Sequence, residues 1–167
     1  LMSLAFGTWF FFYGFFDYAI LSVAMSGAVL AFLKYNYTPA KIFMGDSGSL
    51  SIGLLAAVLA IQFIEKNEMV LSSGKSEGIK IVAAPAMAIA ILIIPLFDTL
   101  RAFTLRIINK KSPFEADRNH IHHRLIDLGL SHIVATYILI AINLLFIGLV
   151  YFLQNWGNLY LQNRSFR

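Results

Sequence analysis

Five stretches of this chain carry no charged side chain at all, and nothing else constrains its fold as strongly. They run over residues 1–16, 18–33, 47–64, 81–97 and 133–153. A helix crossing the hydrocarbon core of a bilayer needs roughly 20 apolar residues. In that core every backbone polar group must be satisfied within the segment. Charge-free runs of this length, joined by short polar connections, predict an all-α polytopic membrane bundle of about five spanning helices. The whole of 1–167 reads as a single membrane domain. Composition agrees, because 59% of the residues are hydrophobic and 13% charged, against roughly 45–50% and about 25% in soluble domains. The same balance excludes disorder. With no cysteine present, disulfides, thiolate zinc sites and iron–sulfur clusters are excluded as well.

The order of the runs sets a topology. Asp17 separates the first two. One long helix over 1–33 would hold its carboxylate in mid-bilayer at a cost of about 2.5–3.5 kcal/mol, so a hairpin is expected. The first run is short and is expected to begin upstream of Leu1, which makes the chain a fragment of a longer protein. Connections 34–46 and 98–132 then share one side with Lys34, Lys41, Arg101, Arg106, Lys110, Lys111, Arg118 and Arg124. Lys66, Lys75, Lys80, Arg164 and Arg167 fall on the other. The positive-inside rule places the first side in the cytoplasm. The formal net charge of +4 therefore reads as topology signals and phosphate ligands rather than as a nucleic-acid surface. Glu65–Lys80, rich in Ser and Gly, reads as a plain external loop.

Polar chemistry is crowded into the two cytoplasmic connections. Phe43-Met44-Gly45-Asp46-Ser47-Gly48-Ser49 immediately precedes an apolar helix. Asp46, Ser47 or Ser49 is suited to cap that helix. Asp46 is equally suited to hold Mg²⁺, which is usually bound by one or two carboxylates plus substrate phosphates. Pro95-Leu96-Phe97-Asp98-Thr99-Leu100-Arg101 ends the fourth run. Pro95 should kink it. Asp98 is either a functional ionisable group at a membrane-helix end or the partner of Arg101 one helical turn away. Arg101–Lys111 then reads as an interfacial helix.

The third segment runs Ser112-Pro113-Phe114-Glu115-Ala116-Asp117-Arg118-Asn119-His120-Ile121-His122-His123-Arg124. Ser112 and Glu115 have capping-box spacing. On a helix, His120, His123 and Arg124 would share a face. Imidazoles and guanidinium forks around Asn119 suit a diphosphate or nucleotide; transition-metal binding is the second reading of the same cluster. All four histidines lie between His120 and His132, which disfavours scattered surface positions. His132 itself reads as structural. Gly129 fits a helix C′ position and Ser131 the cap of the last span.

Taken together, the segments at 43–49, 95–99 and 117–123 resemble those of the polyprenyl-phosphate N-acetylhexosamine-1-phosphate transferases, membrane enzymes that include the phospho-MurNAc-pentapeptide translocase. The His-Ile-His-His form is more similar to the GlcNAc branch than to the translocase. The resemblance implies that Asp46 is a Mg²⁺ ligand, with Mn²⁺ as a substitute. It implies catalytic roles for Asp46, His120, His122 and His123. Substrate contacts would come from Arg118, Asn119, Arg124, Ser47 and Asp98. The implied reaction moves a HexNAc-1-phosphate, GlcNAc-1-phosphate in the branch most resembled, from a UDP-sugar to undecaprenyl phosphate with release of UMP. Its setting would be the cytoplasmic face of a bacterial inner membrane, where it would initiate a cell-envelope polysaccharide.

Expected partners are thus a UDP-N-acetylhexosamine, polyprenyl phosphate, the bilayer and, allowed but not required, a second copy of the chain. No nucleic acid is expected. The family's Asp-Asp segment and its Asn…Asp-Gly-x-x-Gly segment are absent from this sequence. The resemblance therefore covers the C-terminal half of such an enzyme, and this chain alone is expected to be inactive. Two rival readings are a transporter or scaffold with a cytoplasmic ion-binding loop, and a metal-dependent lipid-phosphate hydrolase. Transport would spread polar residues through the spans, and here the spans are nearly free of charge.

Overall fold

The computed structural model describes residues 1–36, 41–42, 44–74, 80–110, 112 and 121–164, with the backbone alone at 123, 155 and 157–164. Seven helices occur among the described residues: α1 (Met2–Phe12), α2 (Phe16–Asn36), α3 (Gly45–Ser72), α4 (Ala84–Ile91), α5 (Ile93–Ile108), α6 (Ile121–Asp127) and α7 (His132–Arg164). No strand occurs among them, in keeping with the all-α expectation. The helices α2, α3 and the His132–Gln154 part of α7 are long and apolar enough to cross a membrane. The pair α4 and α5, bent by 70°, adds a fourth crossing when taken as one broken span. The expected count of about five is therefore corrected to three or four. The difference is α1, whose 11 residues span only about 16 Å of a core roughly 30 Å thick.

The chain forms two compact units, Leu1–Ala84 and Pro85–Arg167. In the first, α1 and α2 make the expected hairpin. The chain reverses at Gly14, whose φ is +79°. The Gly14 amide donates to the Phe11 carbonyl at 3.2 Å and the Phe15 amide to that of Phe10 at 2.9 Å. These are the two bonds of a Schellman ending, which a glycine in the left-handed region permits. Asp17 sits in the first turn of α2, where the helix dipole favours a negative charge.

Lipid tails are as apolar as leucine, so helices in a membrane pair through close approach of small residues. Ser3 and Gly7 on α1 face Ser22 and Ser26 on α2. A Cβ placed on Gly7 would lie 2.8 Å from the Ser22 Cβ, and the hydroxyls of Ser3 and Ser26 share a 2.8 Å hydrogen bond. Beside this seam α3 adds Leu59 and Phe63, which are fully buried, as are Phe6 and Phe10 of α1. The Phe63 ring lies 5.4 Å from that of Phe6 and 4.8 Å from that of Trp9.

The 28 residues of α3 extend about 42 Å, well beyond the hydrocarbon core. Residues 65–72 are consequently helix rather than the expected open loop. Asn67, only 3% exposed, donates to the Ile81 carbonyl at 2.7 Å and so fastens the end of the connection that follows.

In the second unit the bend falls at Leu92 (φ −97°, ψ 7°), three residues before Pro95. A proline has no N–H for the carbonyl four residues back, and its ring crowds that carbonyl. Here the carbonyl belongs to Ile91. Asn143 of α7 compensates, its side-chain amide donating to Ala90 O at 3.0 Å and Ile91 O at 3.2 Å. Asn143 is 4% exposed and lies within the apolar portion of α7. Such a residue at membrane depth satisfies backbone that a broken helix leaves open.

Candidate functional site

The first cluster of predicted residues lies at the start of α3. Gly45 opens the helix with φ +63°. Met44 occupies the N-cap position with helical angles and no side-chain cap bond. The expectation that Asp46, Ser47 or Ser49 caps this helix is therefore corrected. Ser49 Oγ donates instead to the Asp46 carbonyl at 3.1 Å, and Ser51 Oγ to that of Ser47 at 2.7 Å. Serine hydroxyls inside a helix commonly turn back on the preceding turn in this way. Asp46 is left with its carboxylate exposed in the first helical turn, the end where the dipole attracts anions.

Mg²⁺ asks of a protein only one or two carboxylates when substrate phosphates complete its shell. Asp46 meets that requirement as a single ligand. Among the described residues no three His, Cys, Asp or Glu side chains gather as an all-protein metal site. Beside the Asp46 turn, α2 and α3 enclose a largely apolar cavity of about 370 Å³ lined in part by Met25, Val29, Phe32, Gly48, Ile52 and Leu55. Asn36 is a residue that the sequence motifs do not single out. Its Oδ1 accepts the amides of Lys41 at 3.2 Å and Ile42 at 3.1 Å, folding the chain back before it reaches Asp46. An Asn after a run of helix formers is the signal that could have found it, since this side chain readily bonds nearby backbone.

The second cluster is built by α5, α6 and α7. Asp98, half-buried and one turn into α5, accepts the Ile121 amide on Oδ1 at 2.7 Å. That amide is the first of α6. The opposite end of α6 closes as the sequence predicts, for Gly129 has φ +88°. Its amide donates to Ile126 O at 2.8 Å, and that of Leu130 to Leu125 O at 3.3 Å. Ser131 Oγ then accepts the Val134 amide at 3.3 Å, capping α7 as expected. His122 Nε2 lies 3.3 Å from His132 Nδ1, so His132 is not merely structural in its own helix but the neighbour of a predicted site residue. Arg124 is exposed in the last turn of α6. Arg118, Asn119 and His120 lie outside the described residues, as does the side chain of His123. The shared helical face of His120, His123 and Arg124, and the capping box of Ser112 and Glu115, therefore fall outside them too.

Apolar helices and a broken span define a multi-pass membrane protein, with polar clusters at two of its helix ends. Comparison with known proteins narrows the class. Residues 1–64 match the family described as Glycosyl transferase family 4. The chain is 38% identical over 121 residues to the decaprenyl-phosphate N-acetylglucosaminephosphotransferase of Mycolicibacterium smegmatis, covering 71% of this chain and 29% of that protein. It is 38% identical over 126 residues to the probable undecaprenyl-phosphate N-acetylglucosaminyl 1-phosphate transferase of Bacillus subtilis, covering 75% and 32%.

Against the phospho-N-acetylmuramoyl-pentapeptide-transferase of Bacillus pumilus the identity is 54%, but over 56 residues, 34% of this chain and 17% of the relative. Over part of its length, then, this chain is similar to proteins named as polyprenyl-phosphate N-acetylglucosamine phosphotransferases, as its motifs suggest. The GlcNAc-type relatives match over the longer stretch. The chain spans about 30% of the length of the curated relatives first named. No solved structure matches.

Proposed function

We propose that this chain supplies part of an enzyme that transfers GlcNAc-1-phosphate from UDP-GlcNAc to a polyprenyl phosphate at the cytoplasmic membrane face. The observation that carries the reading is the 38% identity to named GlcNAc phosphotransferases across 71–75% of the chain. In the reaction an oxygen of the lipid phosphate ends bonded to the sugar-bearing phosphorus of UDP-GlcNAc. The bond from that phosphorus to the bridging oxygen breaks, and the oxygen leaves with UMP. The product is a polyprenyl-diphosphate GlcNAc.

Donor and acceptor are both anionic, so the protein's work is chiefly positioning and charge stabilisation. Asp46 would hold Mg²⁺ from the first turn of α3. When bound, the ion offsets phosphate repulsion and polarises the diphosphate. Arg118 and Arg124 would contribute guanidinium forks that match phosphate oxygens. His120, His122 and His123, with Asn119, would donate to the diphosphate and its leaving oxygen. Ser47 stands next to Asp46 and would contact the same phosphates.

The test is an exchange assay with radiolabelled UDP-GlcNAc and undecaprenyl phosphate. Membranes expressing the open reading frame that encodes this chain should form labelled lipid product that is lost with EDTA and regained with Mg²⁺. The purified 167-residue chain should form none. Absence of product from the complete reading frame with UDP-GlcNAc would sink the reading.

A further inference from the structure

One oxygen of the Asp98 carboxylate is taken up by backbone. Its Oδ1 accepts the first amide of α6 at 2.7 Å, across 23 residues of chain, at the short end of the N–H···O range. A helix of 7 residues is too short to persist on its own, because nucleation costs more than so few bonds return. It therefore depends on attachments. The Gly129 ending closes one end, and the His122–His132 contact ties its flank to α7. Asp98 takes up an orphan N–H at the other end, where a helix leaves its amides unsatisfied. Ile121 directly precedes His122 in sequence, so fixing its amide fixes the start of the helix that bears His122.

We propose that Asp98 is a positioning residue: through an acceptor oxygen it fastens the histidine-bearing helix α6 to α5. The proposal deepens the transferase reading and rests on it only for its activity arm. Asp98→Asn keeps an acceptor oxygen and removes the charge; Asp98→Ala removes both. If Asp98 instead held a metal or polarised substrate, both substitutions would act alike.

Two measurements decide it. The first is amide hydrogen exchange on the full chain in nanodiscs. Asp98→Ala should accelerate exchange across 121–127 at least about tenfold, the loss expected when a part-buried hydrogen bond is left unmade. Asp98→Asn should stay within about threefold of the parent, and 16–36 should be unchanged in both. The second is kcat/KM for UDP-GlcNAc in the complete reading frame. It should fall at least about tenfold in Asp98→Ala and be largely restored in Asp98→Asn.

Unchanged exchange at 121–127 in Asp98→Ala overturns the proposal. So does an Asp98→Asn variant that protects α6 yet is as inactive as Asp98→Ala. Should the exchange difference appear while the parent enzyme forms no lipid product, Asp98 keeps its positioning role and the transferase reading falls.

Discussion

Replacing Asn143 by alanine removes the two bonds that its amide gives to Ala90 O and Ile91 O, at 3.0 and 3.2 Å. Interhelical hydrogen bonds in membrane proteins average about 0.6 kcal/mol and reach about 1.7. The pair therefore contributes about 1–3 kcal/mol, with the upper end favoured because both carbonyls would be left unsatisfied at membrane depth. The cause of the demand is Pro95, which has no N–H to offer Ile91. Pro95→Ala supplies one, and a straighter helix would use it. Asn143→Ala should then cost less in the Pro95→Ala background, with a coupling of about 0.5–1.5 kcal/mol. Unfolding by SDS in mixed micelles, followed by far-UV circular dichroism, measures all four corners of the cycle. A loss below about 0.3 kcal/mol for Asn143→Ala would refute the argument, and so would strictly additive costs.

Gly7→Leu should destabilise the α1–α2 hairpin by about 1–3 kcal/mol through overpacking, while Gly53→Leu, where an added Cβ would meet nothing within 4 Å, serves as the control in the same unfolding assay. Ser131→Ala removes a cap and should cost about 1 kcal/mol; faster amide exchange confined to the first turn of α7 is the signature. In the complete reading frame, Asp46→Asn should lower turnover at least about a hundredfold at the Mg²⁺ level that saturates the parent, and raise the Mg²⁺ concentration needed for half-maximal activity. A variant that keeps the parent's Mg²⁺ dependence would move Asp46 from ligand to mere dipole partner.

What the sequence made legible was local. Charge-free runs located the apolar helices, Gly129 and Ser131 announced an ending and a cap, and Asp17 marked a reversal. Each of these signals acts within a few residues of its cause. Pro95 was correctly read as a breaker, yet the bend sits at Leu92, because the damage falls on the carbonyl one turn earlier. The partners that matter most were hidden by distance along the chain. Nothing near Asn143 reveals that Ile91 lacks a donor, and nothing near Asp98 shows that Ile121 will arrive at its carboxylate. The seam of Ser3, Gly7, Ser22 and Ser26 was equally silent, since serines and glycines in apolar runs stand out only when two helices are laid side by side. Of the candidate site, Asp46, Ser47, Asp98, His122 and Arg124 could be followed into the structure; Arg118, Asn119, His120 and the side chain of His123 lie outside the described residues.

That seam has a consequence for biogenesis. The hydroxyl of Ser22 also reaches Tyr18 O at 2.7 Å, and that of Ser26 reaches Ser22 O at 2.8 Å. Each of these serines on α2 is thus provided for by its own helix. Parting the two helices leaves Ser22 and Ser26 satisfied and costs Ser3 its bond to Ser26, so recognition rests on shape and a single hydrogen bond and stays reversible. A hairpin of this kind can enter the bilayer early, hold loosely, and re-seat as later segments arrive.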